Sequence, residues 1–340
     1  MSPLEHQGQY GQVDLEFAQI PKNHPVFQIE VDSYIPETRK KIQELTKQYL
    51  EKSGPFPGTK QDSPIPFRDG YVSQSVLYKP AGATGSEPLI VWIHGGGFCL
   101  GSARDDEYLA RILCQEFKCV VVSVEYRLAP EFPFPTAIDD CWDALKWIAS
   151  NAASLPSNPS LGFIIAGMSA GANVSAVLSL LSRDAPLNPP LTGTYLNAPA
   201  TVHHDAIPAK YAPYFKSRDE AINAPLIPRP IMDLFISSLN PQPSSALFSP
   251  LLWPTGHYDL PRTYFQVDGL DPLRDEGLVY EEVLRSEYGV ETRIDVYPGV
   301  PHGFECVFPQ LTLSRKFRKD QLDGFRWLLQ ASAHGNSSGV

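Results

Sequence analysis

Apolar and polar positions along this chain alternate between two rhythms. Leu89 to Ile93 and Cys119 to Val124 are almost wholly apolar, as strands buried on both faces should be. Val72 to Lys79, Phe163 to Ala166, Thr194 to Asn197, Thr263 to Val267 and Thr292 to Tyr297 are predicted as further strands. Around them apolar residues recur every three or four positions, the spacing of one helix face. This predicts helices over Glu37 to Tyr49, with Ile42, Leu45 and Tyr49 on one side, and over Thr136 to Ala149, with Ile138, Trp142, Leu145 and Ile148. Thr136 followed by Asp139 resembles a capping box. Further helices are predicted over Ala170 to Ser182, Glu276 to Tyr288 and about Ser314 to Leu329.

Strands alternating with helices predict an α/β fold, a doubly wound, mostly parallel sheet with helices on both faces. Ligands of such sheets bind beyond the C-terminal ends of the strands. Two stretches break the rhythm. Lys52 to Pro66 is rich in Gly, Pro and Ser and reads as a linker. Thr201 to about Pro254, more than fifty residues with many prolines and aromatics, is too long for a structureless loop and reads as a small inserted subdomain.

Composition narrows the picture. The 340 residues are 43% hydrophobic and 19% charged, which excludes disordered and fibrous classes. With 28 basic against 38 acidic residues the net charge is -10, so neither nucleic acid nor an anionic membrane is an expected partner. No apolar stretch reaches 18 residues, and the N-terminus lacks a basic region followed by an apolar run; a cytoplasmic protein is expected. Cys99, Cys114, Cys119, Cys141 and Cys306 are odd in number, show no CxxC pairing and read as reduced core residues. No H-E-x-x-H or Cys/His ligand spacing occurs, so no metal and no cofactor are expected, and a homodimer is left open.

Three segments carry candidate chemistry. Gly167-Met168-Ser169-Ala170-Gly171 fits G-x-S-x-G, where a strand turns sharply into a helix and lifts a strained serine above the sheet. Its force lies in its context, a predicted strand before it and the stripe Val174, Val177, Leu178 and Leu181 after it. His94-Gly95-Gly96-Gly97 follows a buried strand; three glycines leave backbone N–H groups free to approach an anionic oxygen, and with the N–H of Ala170 they can form an oxyanion hole. A phosphate cradle is disfavoured because no Walker or dinucleotide pattern follows, and His94 reads as a structural brace. Serine needs a base and a group to orient it. His302 directly follows the last predicted strand in a Pro- and Gly-flanked loop, whereas His257 does not. Asp268, Asp271 and Asp275 all follow the strand Thr263 to Val267; Asp271 is preferred for its loop position, with Asp268 a rival and Asp275 assigned to the helix start.

HGGGF at 94–98, YRLAPE at 126–131, GxSAG at 167–171, DPLRDE at 271–276 and PHGF at 301–304 together resemble the hormone-sensitive-lipase-like branch of the α/β-hydrolases, which includes plant carboxylesterases. The resemblance covers roughly residues 65 to 335. It implies a triad of Ser169, Asp271 and His302, selects Asp271 over Asp268, and implies oxyanion donors among Gly95, Gly96 and Ala170. It also implies an α/β-hydrolase catalytic domain over 65–335, with cap elements at 1–60 and 201–254. Met168 and Ala172 depart from the common G-D-S-A-G-G, so the carboxylate usually beside the nucleophile is absent. Relatives that serve as hormone receptors have lost the base, which His302 argues against here; others act as lyases.

The function expected is hydrolysis of a carboxylic ester or lactone of a small molecule through an acyl-enzyme. Acyl transfer, lactone formation or elimination at the same site, and a non-catalytic small-molecule receptor, are the alternatives. Tyr211, Tyr214, Phe215, Leu226, Ile231, Phe235 and Trp253 of the insertion are expected to wall the pocket and to favour a compact ester.

Overall fold

The computed structural model describes residues 2–21, 35–52 and 54–330. Its centre is one eight-stranded sheet: β1 (Thr59–Pro66), β2 (Val72–Lys79), β3 (Leu89–Ile93), β4 (Val120–Val124), β5 (Phe163–Met168), β6 (Gly193–Asn197), β7 (Arg262–Asp268) and β8 (Thr292–Tyr297). Their spatial order is β1-β2-β4-β3-β5-β6-β7-β8. The pairs β1–β2 and β2–β4 are antiparallel and all others parallel. The longer helices are α1 (Ile35–Lys52), α2 (Glu107–Phe117), α3 (Thr136–Ser150), α4 (Ala170–Asp184), α5 (Arg229–Leu239), α6 (Arg274–Glu282) and α7 (Thr312–Gln330).

The apolar runs of β3, β4 and β5 feed two cores because successive side chains point to opposite faces. Leu89, Val91, Ile93, Val120, Val122, Phe163 and Ile165 pack with residues of α3 and α4. Ile90, Trp92, Val121, Ile164 and Ala166 pack with residues of α2 and α7 on the other side. The strands and helices predicted with ranges occur in the predicted order, with β1, α2 and α5 in addition, and among the described residues no helix is long and apolar enough to cross a membrane.

Several expectations need correction. Thr59–Pro66, expected within a linker, is the edge strand β1; only Ser63 and Ile65 of it are buried, so the two-faced apolar pattern that marks the inner strands is missing. The helix expected over Glu276 to Tyr288 starts earlier, at Arg274, and does reach Tyr288, but it passes through a π-helical turn over Val283–Glu287. No capping box opens α3: its N-cap is Pro135 without a side-chain cap, and Asp139 pairs with Arg68 at 3.1 Å instead. Cys306 is exposed, whereas the other four thiols are buried and free. Ile42 of α1 packs against the core as expected, while the Leu45 and Tyr49 side chains lie outside the described residues, as do 22–34 of the expected cap and 331–335 of the expected catalytic domain.

Candidate active site

The sheet places the two glycine-containing turns side by side. From β3 the chain passes through α2 to β4 on one side, then returns through α3 to β5 on the other, so loops leaving β3 and β5 diverge and open a crevice between them. Ile93 is paired with Gly167, and two residues beyond each lie Gly95 and Ser169. A side chain at Gly95 would place its Cβ 3.5 Å from the Ser169 Cβ.

Ser169 sits between β5 and α4 with φ 55 and ψ −120, a strained conformation for a residue with a Cβ. Its backbone is fixed from both sides: its N–H donates to the Asn197 carbonyl at 2.8 Å, and its carbonyl accepts from the Asn173 N–H at 3.0 Å. The flanking glycines are required by close passage, since a Cβ at Gly171 would overlap the Ile93 and His94 carbonyls and one at Gly167 the Gly171 carbonyl. Ala170 is the first residue of α4, so its N–H has no acceptor within the helix.

His94 braces the glycine loop. Its ring stacks on Tyr126 at 4.2 Å and its Nδ1 lies 2.8 Å from the Gly95 carbonyl, while the Tyr126 hydroxyl donates to the His94 carbonyl at 3.0 Å. Arg39 of α1 ties down the far end, donating to the carbonyls of Cys99 and Ala129 at 2.6 and 2.5 Å and to Glu131 at 2.8 Å. Nothing near Arg39 in the chain signals this role, because its partners are carbonyls sixty and ninety residues away.

His302 and Asp271 meet at the ends of β8 and β7. Asp268 pairs with Tyr297 as the strands end, and the following loops bring the His302 Nδ1 to 2.6 Å from the Asp271 Oδ2. The other Asp271 oxygen accepts from the Leu273 N–H at 2.8 Å. Both residues are buried. Burial alone would lower the imidazole pKa, but the Asp271 carboxylate, by its charge and hydrogen bond, and then the Glu305 charge turn the balance and hold it above the ordinary histidine value.

The rival Asp268 is wholly buried and accepts the Gly303 N–H at 2.9 Å. Burial raises the pKa of Asp268 and of Glu305, and the charges of Glu305 and Asp271 add to the rise at Asp268. Ligand atoms of Asp268, Asp271 and His302 lie within 4.8 Å of one another, a spacing that a cation could bridge, although the Asp271–His302 hydrogen bond already engages one of them. His257, the other late histidine, donates from Nε2 to the Pro250 carbonyl (2.9 Å), packs edge-on to Tyr280 and Tyr288, and lies away from the cavity lining.

Gly95, Gly96, Ser169, Ala170 and His302 line one cavity of about 400 Å³. Asp271 stands behind His302. The rest of the wall is mostly apolar and comes partly from the insertion, including Leu226, Met232, Phe235, Ile236 and Phe248. Of the insertion residues expected to wall the pocket, Leu226 and Phe235 do. Ile231 and Trp253 pack into the core beneath, Tyr211 and Phe215 pack beside the β7 face, and Tyr214 is exposed. Met168 also lines the cavity.

The DPLRDE segment does more than supply Asp271. Glu276, its pKa pushed up to about 7 by burial, accepts the Thr201 N–H at 2.6 Å and the Val202 N–H at 3.1 Å. Asp275 accepts the N–H groups of Lys216 and Ser217, and Arg274 pairs with both Asp275 and Glu220. Three consecutive charged residues thus anchor the insertion over the sheet, a role that the position of Asp275 at the helix start did not reveal.

A model of the α/β-hydrolase fold family matches residues 90–306. The chain belongs to that family. An AB hydrolase superfamily protein of Schizosaccharomyces pombe is 42% identical over 94% of this chain and 95% of its own length. A versiconal hemiacetal acetate esterase of Dothistroma septosporum is 34% identical over 74% of this chain and 77% of its own. The crystal structure of vibralactone cyclase superposes with a TM-score of 0.88 at 36% identity, covering 95% of this chain and 97% of that one. This α/β-hydrolase is an enzyme of the carboxylesterase type, in the branch that its motifs resemble.

One consequence concerns Gly97, which has φ 61 and whose Cβ position is filled by the Phe235 ring of α5. Gly97→Ala is expected to push the glycine loop off its seat and to lower esterase kcat/KM by on the order of 10²-fold, the cost of misplacing a reacting site by about 1 Å. The double variant with Phe235→Ala is expected to recover part of that loss, and equal losses in the single and double variants would refute the steric account.

Proposed function

We propose that this enzyme hydrolyses a carboxylic ester or lactone of a small molecule through an acyl-enzyme formed on Ser169. The observation that carries this reading is the buried Asp271–His302 hydrogen bond of 2.6 Å opening into the cavity that holds the strained Ser169. With Nδ1 committed to Asp271, the imidazole presents Nε2 to the serine hydroxyl. His302 takes the Ser169 proton as Oγ attacks the ester carbonyl, and the N–H groups of Gly95, Gly96 and Ala170 receive the developing oxyanion. Collapse of the tetrahedral intermediate expels the alcohol, which takes the proton from His302. Water, deprotonated by the same base, then releases the acid and restores Ser169. The insertion over 201–254, together with α1, forms the cap, and its apolar lining and the volume of about 400 Å³, near the low end of ~300–1,000 Å³ pockets, favour a compact ester.

The likeness to vibralactone cyclase supports a second reading at the same residues. A hydroxyl of the acyl group itself attacks the acyl-enzyme in place of water, His302 takes its proton, and a lactone leaves as Ser169 is restored.

Labelling with an activity-based alkyl phosphonate tests the common first step. Peptide mapping by mass spectrometry is expected to place the adduct on Ser169. A protein left unlabelled, as a receptor would be, or an adduct on another serine, counts against the proposal.

A further inference from the structure

One residue borders both the catalytic cavity and a second space. That space is a larger cleft of about 980 Å³, bordered by residues 8–21, by 220–228, by Gly269 and Leu270 and by Phe308. Among the described residues, Leu226 alone lines both spaces.

Leu226 is held in an unusual way. It lies in Ala-Pro-Leu-Ile-Pro with φ 71, and the Ile227 N–H donates to the Pro225 carbonyl at 3.0 Å, which makes Leu226 the centre of a γ-turn of the strained, positive-φ kind. Pro225 has its φ locked by the ring, and Ile227 is confined to extended backbone by Pro228. The turn therefore has little freedom to carry its side chain aside. That side chain is buried against the Phe304, Phe308 and Val300 cluster, on the loop and short helix that follow β8 and carry His302. A leucine pays backbone strain here that a glycine would not. What the strained turn holds in place is the one described residue that borders both spaces.

We propose that Leu226 is the stop that sets how long an unbranched alkyl chain the catalytic cavity accepts, and that the cleft behind it is the closed continuation of the same substrate site. This rests on the esterase reading of the Ser169 cavity. The shared chemistry is an alkyl chain, which can belong to the acyl or to the alcohol half of an ester.

Leu226→Ala tests it with two substrate series, p-nitrophenyl esters from C2 to C16 and acetates of n-alkanols over the same range. Wild-type enzyme is expected to prefer short chains in both. The variant is expected to gain about ten-fold or more in kcat/KM toward C10–C12 chains relative to its own C2 value in one series, since each methylene seated in an apolar pocket contributes discrimination of that order. The series that gains identifies the half of the ester facing Leu226. Ala18→Trp fills the cleft from its exposed rim. Combined with Leu226→Ala it is expected to abolish the long-chain gain, and alone it is expected to leave the wild-type order of chain-length preference in place. Leu226→Gly removes the same side chain and adopts the positive φ without strain, so it reports the same result should the alanine variant fold poorly. Parallel changes at every chain length, or a long-chain gain that survives Ala18→Trp, would overturn the proposal while leaving the esterase reading intact. Failure of wild-type enzyme to turn over any ester would overturn both.

Discussion

Ser169→Ala is expected to lower kcat toward p-nitrophenyl acetate by on the order of 10⁶-fold, the loss found when a triad nucleophile is removed and its partners can no longer act as a unit. The residue that follows β5 will still have a Cβ, so the strained φ of 55 persists and the backbone hydrogen bonds to Asn197 and Asn173 are kept. Folding should accordingly be preserved, with a thermal midpoint within a few degrees of wild type. Residual activity comes from the glycine-loop donors and the cavity alone. Steady-state kinetics on the purified variant, with far-UV circular dichroism as the folding control, checks both parts. Turnover reduced by less than ~10²-fold would mean that another group attacks the ester.

Asp271→Asn is expected to cost about 10⁴-fold in kcat/KM, because an amide at this position holds His302 in the wrong tautomer. Asp268→Asn is expected to cost far less. Among the described residues Asp268 accepts one hydrogen bond, from the Gly303 N–H at 2.9 Å, a role that the amide oxygen retains, and its raised pKa already favours the neutral form. The two variants also separate in their pH profiles. In the proposed mechanism His302 must be neutral to accept the Ser169 proton, so the rate of wild-type enzyme is expected to rise with pH through the His302 pKa, which Asp271 holds above the ordinary histidine value. Without the carboxylate, burial is the dominant influence left, and the acid limb is expected to move to lower pH. Equal losses at the two positions, or an acid limb unmoved by Asp271→Asn, would show that Asp271 does not orient the base.

The inner strands and the catalytic motifs were legible for one physical reason: each had few alternatives. A run such as Val120–Val124 can only be a strand covered on both faces, and a serine between close-packed glycines after such a strand can only turn into a helix. Elements with one exposed face left weaker traces. β1 carries prolines at 64 and 66, is exposed at six of its eight positions, and was read as linker because an edge strand tolerates both features. Likewise the end of α6 passes into a π-helical turn that no local periodicity announced.

Sequence alone determined the fold class and the order of the chemical groups, since both follow from short-range patterns: period two or 3.6 in apolar residues, and glycine where backbones must touch. Tertiary structure decided everything that depends on distance across the sheet. The register that pairs Ile93 with Gly167 sets Gly95 beside Ser169, and the pairing of Asp268 with Tyr297 sends two separate loops to a 2.6 Å contact between Asp271 and His302. The same long-range packing turned Arg274, Asp275 and Glu276 into anchors for the insertion, and placed Leu226 between two cavities. None of these contacts leaves a local pattern, because burial and hydrogen bonding select a residue for its partner in space and not for its neighbours along the chain.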